Sequence, residues 1–166
     1  MTDHVARRPA GARARKVYGA DDVHDFARRA ILGALGLRPS DRLLEIGCGG
    51  GLLLRDALTS GAAATGLDHS EEMVDLARRR APGAEVVVGS AENPPFADAA
   101  FTAVAMSIVL LFLVDPVAVL RECHRVLARD GRVAIYTTSP DAGFPAPRPD
   151  RCCDHLPVRG GGCALR

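Results

Sequence analysis

The chain has 166 residues, 48% hydrophobic and 4% aromatic, with a formal net charge of +1. That length fits one domain, and so balanced a charge excludes a global pull toward nucleic acid or an anionic membrane. Its basic residues are twenty Arg and one Lys, and Trp is absent.

Residues 1–16 lack periodicity, and Arg7, Arg8, Arg13, Arg15 and Lys16 read as a disordered basic tail. No apolar run follows the N-terminus, so no secretory signal is expected. The longest apolar stretch, residues 103–114, falls well short of the ~20 residues that span a bilayer. A soluble, cytoplasmic protein is expected. The five cysteines, an odd number without an export signal, argue against a disulfide framework.

From Ala20 to Gly36 the apolar residues Val23, Phe26, Ala27, Ala30, Ile31, Ala34 and Leu35 recur at spacings of three and four, which predicts a helix with one buried face. Residues 42–46 read as a strand, 51–60 as a helix and 63–67 as a second strand. Ser70 is the expected N-cap of a helix reaching Arg80, with Glu71 and Glu72 in its first turn. Residues 85–88 form a third strand, residues 89–100 a loop, and residues 102–106 a fourth strand. Asp115-Pro116 opens another helix, with an expected apolar stripe of Val117, Leu120, Cys123, His124 and Leu127. Asp130-Gly131 makes a turn, and residues 132–138 a fifth strand. Such alternation predicts an α/β fold, doubly wound, with a parallel sheet covered on both faces. After about Ser139 the hydrophobic period vanishes and Pro, Gly and Cys accumulate, so residues 139–166 read as an irregular or disordered tail.

The chemistry is concentrated where the first strand, Leu43-Leu44-Glu45-Ile46, runs into Gly47-Cys48-Gly49-Gly50-Gly51, and where the second strand ends at Asp68. Ligands of open parallel sheets bind beyond the carboxyl ends of the strands. A carboxylate at the tip of the neighbouring strand can accept hydrogen bonds from both hydroxyls of a ribose. A nucleoside-bearing cofactor is therefore expected. The dinucleotide pattern G-x-G-x-x-G fails at Leu52, and no G-K-[ST] phosphate loop is present.

What stands is E-x-G-x-G-x-G, and this resembles motif I of the class I S-adenosylmethionine-dependent methyltransferases. Asp68-His69-Ser70-Glu71-Glu72-Met73 resembles that family's ribose-binding strand end. Gly89-Ser90-Ala91-Glu92-Asn93-Pro94-Pro95-Phe96 resembles its loop over the adenine, and residues 125–132 its helix-to-strand turn. The nearest subgroup is that of quinone-biosynthesis and other small-molecule methyltransferases. The resemblance covers roughly residues 40–138. It implies a Rossmann-like, mostly parallel sheet of order 3-2-1-4-5, S-adenosyl-L-methionine as cofactor and a small-molecule acceptor. It also implies a cofactor-binding set of Glu45, Gly47, Cys48, Gly49, Gly51, Asp68, His69, Met73, Ser90, Ala91, Glu92 and Ser107. Gly47 and Gly49 would admit the methionyl part and Glu45 would orient the turn. Asp68 would take the ribose, His69 and Met73 would flank the adenine, the Ala91 backbone would meet the adenine edge, and Ser107 would lie near the sulfonium.

Three positions depart from the family pattern. Ser90 and Thr102 stand where the family commonly has Asp, and residues 108–112 lack its usual histidine, so no general base is assigned. The family sheet continues to strands six and seven, for which this sequence offers no candidate. The expectation is that those strands are missing, that residues 139–166 are a truncated or frame-shifted readout, and that the fifth strand offers an edge for homodimer pairing. A non-catalytic cofactor-binding remnant or interaction module is the alternative reading, and a nicotinamide-dependent oxidoreductase is the nearest fold-level competitor. Cys152, Cys153, His155 and Cys163 match no common zinc spacing, so no metal is expected. Cys48 reads as a turn residue rather than a nucleophile. Residues 16–19 could fold over the site, with Tyr18 as a lid. No aromatic platform for nucleic acid is seen.

Overall fold

The computed structural model describes residues 24–137. The readings made for residues 1–23 and 138–166, including the basic tail, the Tyr18 lid, the cysteine-rich tail and the missing strands, lie outside the described residues. Four helices and five strands alternate: α1 (Asp25–Leu35), β1 (Arg42–Ile46), α2 (Leu52–Leu58), β2 (Ala63–Asp68), α3 (Glu71–Arg80), β3 (Glu85–Val88), β4 (Phe101–Ser107), α4 (Pro116–Val126) and β5 (Leu127–Tyr136). A 3-10 turn, Leu110–Phe112, lies between β4 and α4. The sheet order is β3-β2-β1-β4-β5, and all four pairings are parallel. The order 3-2-1-4-5 is the expected one.

β1 is central because it is apolar on both faces. Leu43, Leu44 and Ile46 are fully buried, and β4 contributes Ala103, Val104, Ala105 and Met106 beside them. Side chains alternate across the sheet, so two cores form. One holds Leu43, Ala103, Ala105 and Ala134 against α1, α2 and α3. The other holds Leu44, Ile46, Val104 and Met106 against α4. The small residues on the first face let three helices approach, which is how an Ala-rich sequence builds a core without Trp.

Far from the site, the N-terminal end of the sheet is fastened by a polar network. Asp41 accepts hydrogen bonds from Arg132 (2.7 Å), the Thr102 hydroxyl (2.8 Å) and the Arg38 amide (2.8 Å). Arg132 also reaches the Leu35 carbonyl at 2.8 Å. Burial alone would raise the Asp41 pKa, but hydrogen bonds from Thr102, Arg132 and Arg38 outweigh it and hold the carboxyl below its ordinary range. Thr102, a departure from the family pattern, thus has a structural partner.

Four local expectations are corrected. The described part of α1 begins at Asp25, after His24 in a left-handed conformation. Ser70 occupies the N-cap position of α3, but its side chain makes no cap bond. Its hydroxyl donates to Glu72 instead, at 2.8 Å. β5 starts at Leu127 rather than Arg132. Its pairing jumps from Leu127 opposite Phe101 to Arg132 opposite Ala103, so residues 128–131 bulge out around Asp130, whose φ is 61°. Finally, the buried stripe of α4 is Val119, Cys123 and Val126, whereas Val117 and Leu120 are exposed. A period of three and four fits both stripes. The Asp115 cap, which accepts the Ala118 amide at 2.9 Å, sets the helix phase.

That phase is checkable. Truncating a buried Val side chain removes about 1.5–3 kcal/mol of burial, whereas surface substitutions stay within about 0.5 kcal/mol. Urea unfolding of Val119→Ala is expected to show a loss of about 2 kcal/mol, and Leu120→Ala a loss below about 0.5 kcal/mol.

Candidate cofactor site

The carboxyl ends of β1, β2, β3 and β4 converge on one cleft. Gly47 and Gly49 line it from the turn after β1, and Leu67, Asp68 and His69 from the tip of β2. Met73 comes from α3, Gly89, Ala91 and Glu92 follow β3, and Ser107, Ile108, Val109, Phe112 and Leu113 follow β4. His24, at the start of α1, completes the rim.

Asp68 holds the two halves of this cleft together. One carboxylate oxygen accepts the Gly49 amide at 2.8 Å, the other the Ser70 amide at 3.0 Å. Its backbone carbonyl accepts the Gly89 amide at 2.9 Å. The Leu67 carbonyl takes the Gly47 and Cys48 amides at 2.7 and 3.0 Å, which folds the turn back over the β2 tip. His69 Nδ1 stands 3.3 Å from Asp68.

Two glycines are required for different reasons. A Cβ on Gly47, at φ +69°, would lie 2.4 Å from Val109 Cγ2, so this side of the cleft is open only without a side chain. A Cβ on Gly51, at φ +78°, would lie 2.8 Å from the Cα and Cβ of Ala77. Gly51 therefore packs the turn against α3 and lies behind the cleft wall. L-residues other than Asn, Asp and His rarely adopt such φ values.

Beneath the turn sits Glu45. It is buried, it accepts one backbone hydrogen bond from Leu54, and its Oε2 has no partner. Burial, and next the negative charge of Asp68, push its carboxyl well above the ordinary range, while the positive charge of Arg28 pulls the other way. Arg28 is itself buried and is bound by Asp25 at 2.7 Å and Asp56 at 2.8 Å. Burial, with Glu45 and Asp68 nearby, likewise pushes the Cys48 thiol up. A neutral, enclosed thiol is a poor nucleophile.

Of the twelve residues expected at the site, Gly47, Gly49, Asp68, His69, Met73, Ala91, Glu92 and Ser107 line the cleft. Glu45, Cys48 and Gly51 lie beneath or behind the turn, and Ser90 is exposed, its hydroxyl bonded to Glu92. The sequence reading missed His24 as a lining residue. Nothing in the linear pattern brings α1 to the strand tips. Among the described residues no group of three or more His, Cys, Asp or Glu could hold a metal ion, and no helix is long and apolar enough to cross a membrane.

The loop over the cleft is tied from below. Arg125 of α4 donates to the Phe96 carbonyl and to Asp98, both at 2.8 Å, and to the Pro94 carbonyl at 3.3 Å. Glu122 pairs with it at 2.7 Å.

S-adenosylmethionine fits the donor set. The Asp68 carboxylate at the β2 tip and the space left by Gly47 suit a ribose-bearing group that has no phosphate. The profile of a methyltransferase domain matches residues 44–135. Demethylmenaquinone methyltransferase of Beutenbergia cavernae is 38% identical over 88% of this chain and 60% of its own length. The same enzyme of Mycobacterium sp. strain KMS is 36% identical over 87% of this chain and 61% of its own length. The chain thus spans about 60% of the length of these curated relatives. A SAM-dependent methyltransferase from Aquifex aeolicus has the same fold, with a TM-score of 0.67, 23% identity, and coverage of 80% of this chain and 78% of that one.

The raised Glu45 pKa has a sign that can be tested. The folded protein keeps the proton at pH values where the unfolded chain, near 4.5, has released it. Stability from this group is full below 4.5 and falls as pH rises toward the folded-state pKa. Glu45→Gln removes that slope. Denaturant unfolding at pH 4.5 and pH 8 is expected to show the variant gaining stability relative to wild type at the higher pH.

Proposed function

The chain belongs to the methyltransferase-domain family, and on that basis we propose that it transfers a methyl group from S-adenosylmethionine to a small apolar acceptor. The observation that carries the proposal is the Asp68 carboxylate at the β2 tip, facing a turn whose Gly47 leaves no side chain between backbone and ligand. Asp68 binds the ribose hydroxyls through the lone pairs that the Gly49 and Ser70 amides leave over. Gly47 and Gly49 flank the methionyl portion, and Glu45 fixes the turn from beneath. Met73, His69 and the Ala91 loop with Glu92 enclose the adenine. Ser107 borders the reacting end.

When bound, the cofactor supplies a methyl carbon on positively charged sulfur, which leaves as a neutral thioether. The protein's part is to hold the acceptor in line. Orientation of this kind lowers barriers by roughly 7–11 kcal/mol in favourable cases. The wall of Ile108, Val109, Phe112 and Leu113 is apolar. Together with relatives named for demethylmenaquinone, it supports an acceptor of the quinone class in its reduced form.

Calorimetric titration with S-adenosylhomocysteine tests the cofactor reading. Asp68→Asn keeps an acceptor oxygen but removes the charge. Hydrogen bonds to charged groups are worth about 1.5–3 kcal/mol, so affinity should fall at least about tenfold. Saturable micromolar binding of NADH, with none of S-adenosylhomocysteine, would overturn the assignment.

The reading extends to pairing between copies. Among the described residues β5 bonds only to β4, and a free strand edge invites a partner strand. Wild type is expected to elute as a dimer in size-exclusion chromatography, and Ile135→Lys as a monomer.

A further inference from the structure

Val109 spans the cleft from the wall after β4 to the turn after β1. A Cβ on Gly47 would lie 2.4 Å from its Cγ2 and 3.2 Å from its Cγ1. The isopropyl group therefore rests on the open face of the glycine turn. The neighbouring Gly49 is approached from α3 instead, where Met73 Cε would stand 3.5 Å from a Cβ. Val109 and Met73 both line the cleft, one from each of the walls that meet the turn.

The reach of Val109 is fixed from both sides of its backbone. The Ile108 amide just before it donates to the Tyr136 carbonyl at 2.7 Å. Its own carbonyl accepts the Phe112 amide at 2.9 Å and so opens the 3-10 turn. Ile108 has φ of 57°, an outlier for a β-branched residue, and strain of this kind collects at functional sites. Val109 is itself β-branched, so its χ1 is restricted. A tethered backbone and a stiff rotamer make a stop of constant length.

We propose that Val109 sets the size of the alkyl group that the donor sulfur can carry, admitting methyl and rejecting ethyl and larger groups; this rests on the S-adenosylmethionine reading above. A sulfonium of this kind has three carbon substituents: the ribose carbon, the methionyl chain and the alkyl group to be transferred. In that reading the ribose is directed to Asp68 and the methionyl chain to Gly47 and Gly49. The wall after β4 is left for the third. Ser107 and Val109 flank Ile108 on that wall, and Val109 is in contact with Gly47. Its side chain has no hydrogen-bonding group, so what it reads is size. One methylene too many in an apolar pocket costs roughly 10–200-fold in binding.

Calorimetry with S-adenosylhomocysteine, S-adenosylmethionine and S-adenosylethionine tests this, because the three differ at sulfur by no alkyl group, a methyl and an ethyl. Wild type should bind the methyl compound at least about tenfold more tightly than the ethyl compound. Val109→Ala removes both Cγ atoms and should bring the two within about threefold of each other. Val109→Ile adds a carbon, and should weaken the methyl compound about tenfold relative to S-adenosylhomocysteine. A merely structural role would shift all three affinities together and leave the ratios unchanged. Wild type that binds the methyl and ethyl compounds equally overturns the proposal, and so does an unchanged ratio in Val109→Ala. Circular dichroism reports whether that variant folds; if it does not, an unchanged ratio in Val109→Ile overturns the proposal. Failure of wild type to bind S-adenosylhomocysteine overturns the cofactor reading itself, and this proposal with it.

Discussion

Asp68 is the constraint on which the cleft depends. A single carboxylate, 7% exposed, ends β2 and accepts amides from the turn after β1 and from the start of α3. Charge-assisted bonds of this kind are stronger than neutral ones. They set the separation of two strand tips and the path of the glycine turn. The same atoms that shape the cleft are those proposed to hold the ribose, so local order and recognition draw on one group.

That economy has an electrostatic cost, which the surroundings absorb. Glu45, Cys48 and Asp68 cluster around the turn, and two carboxylates in so enclosed a place repel each other. Arg28 offsets part of this from α1, with its own charge distributed over Asp25 and Asp56. The helix that carries His24 to the rim therefore also supplies the cation beneath the turn. Positioning of the rim and charge balance under the floor are tasks of one element.

The parallel, doubly covered sheet was legible in the alternation of strand and helix periods along the chain, whereas the order of its strands came with the resemblance of residues 45–51 and Asp68 to the methyltransferase family. The site was legible where function imposes local spacing: Gly47 and Gly49 after Glu45, and Asp68 one strand later. Phase and register were less so. Val117 and Leu120 match a helical period as well as Val119 and Val126 do, and the choice is made by the Asp115 cap and the packing against Val104 and Met106. The bulge at residues 128–131 follows from pairing with Phe101, which no local pattern carries. His24 was invisible for the same reason. Its place is set by the Phe26–Tyr136 contact, between residues 110 positions apart.

Arg125 has a mechanical consequence. Its guanidinium grips the Pro94 and Phe96 carbonyls at one end of α4, while the other end of α4 follows the Leu110–Phe112 turn that walls the cleft. An eleven-residue helix is a stiff rod about 16 Å long. It acts as a tie-beam between the two shores of the cleft, so neither shore can be rebuilt alone. Lengthening or rotating α4 to widen the wall after β4 would drag the loop after β3 with it.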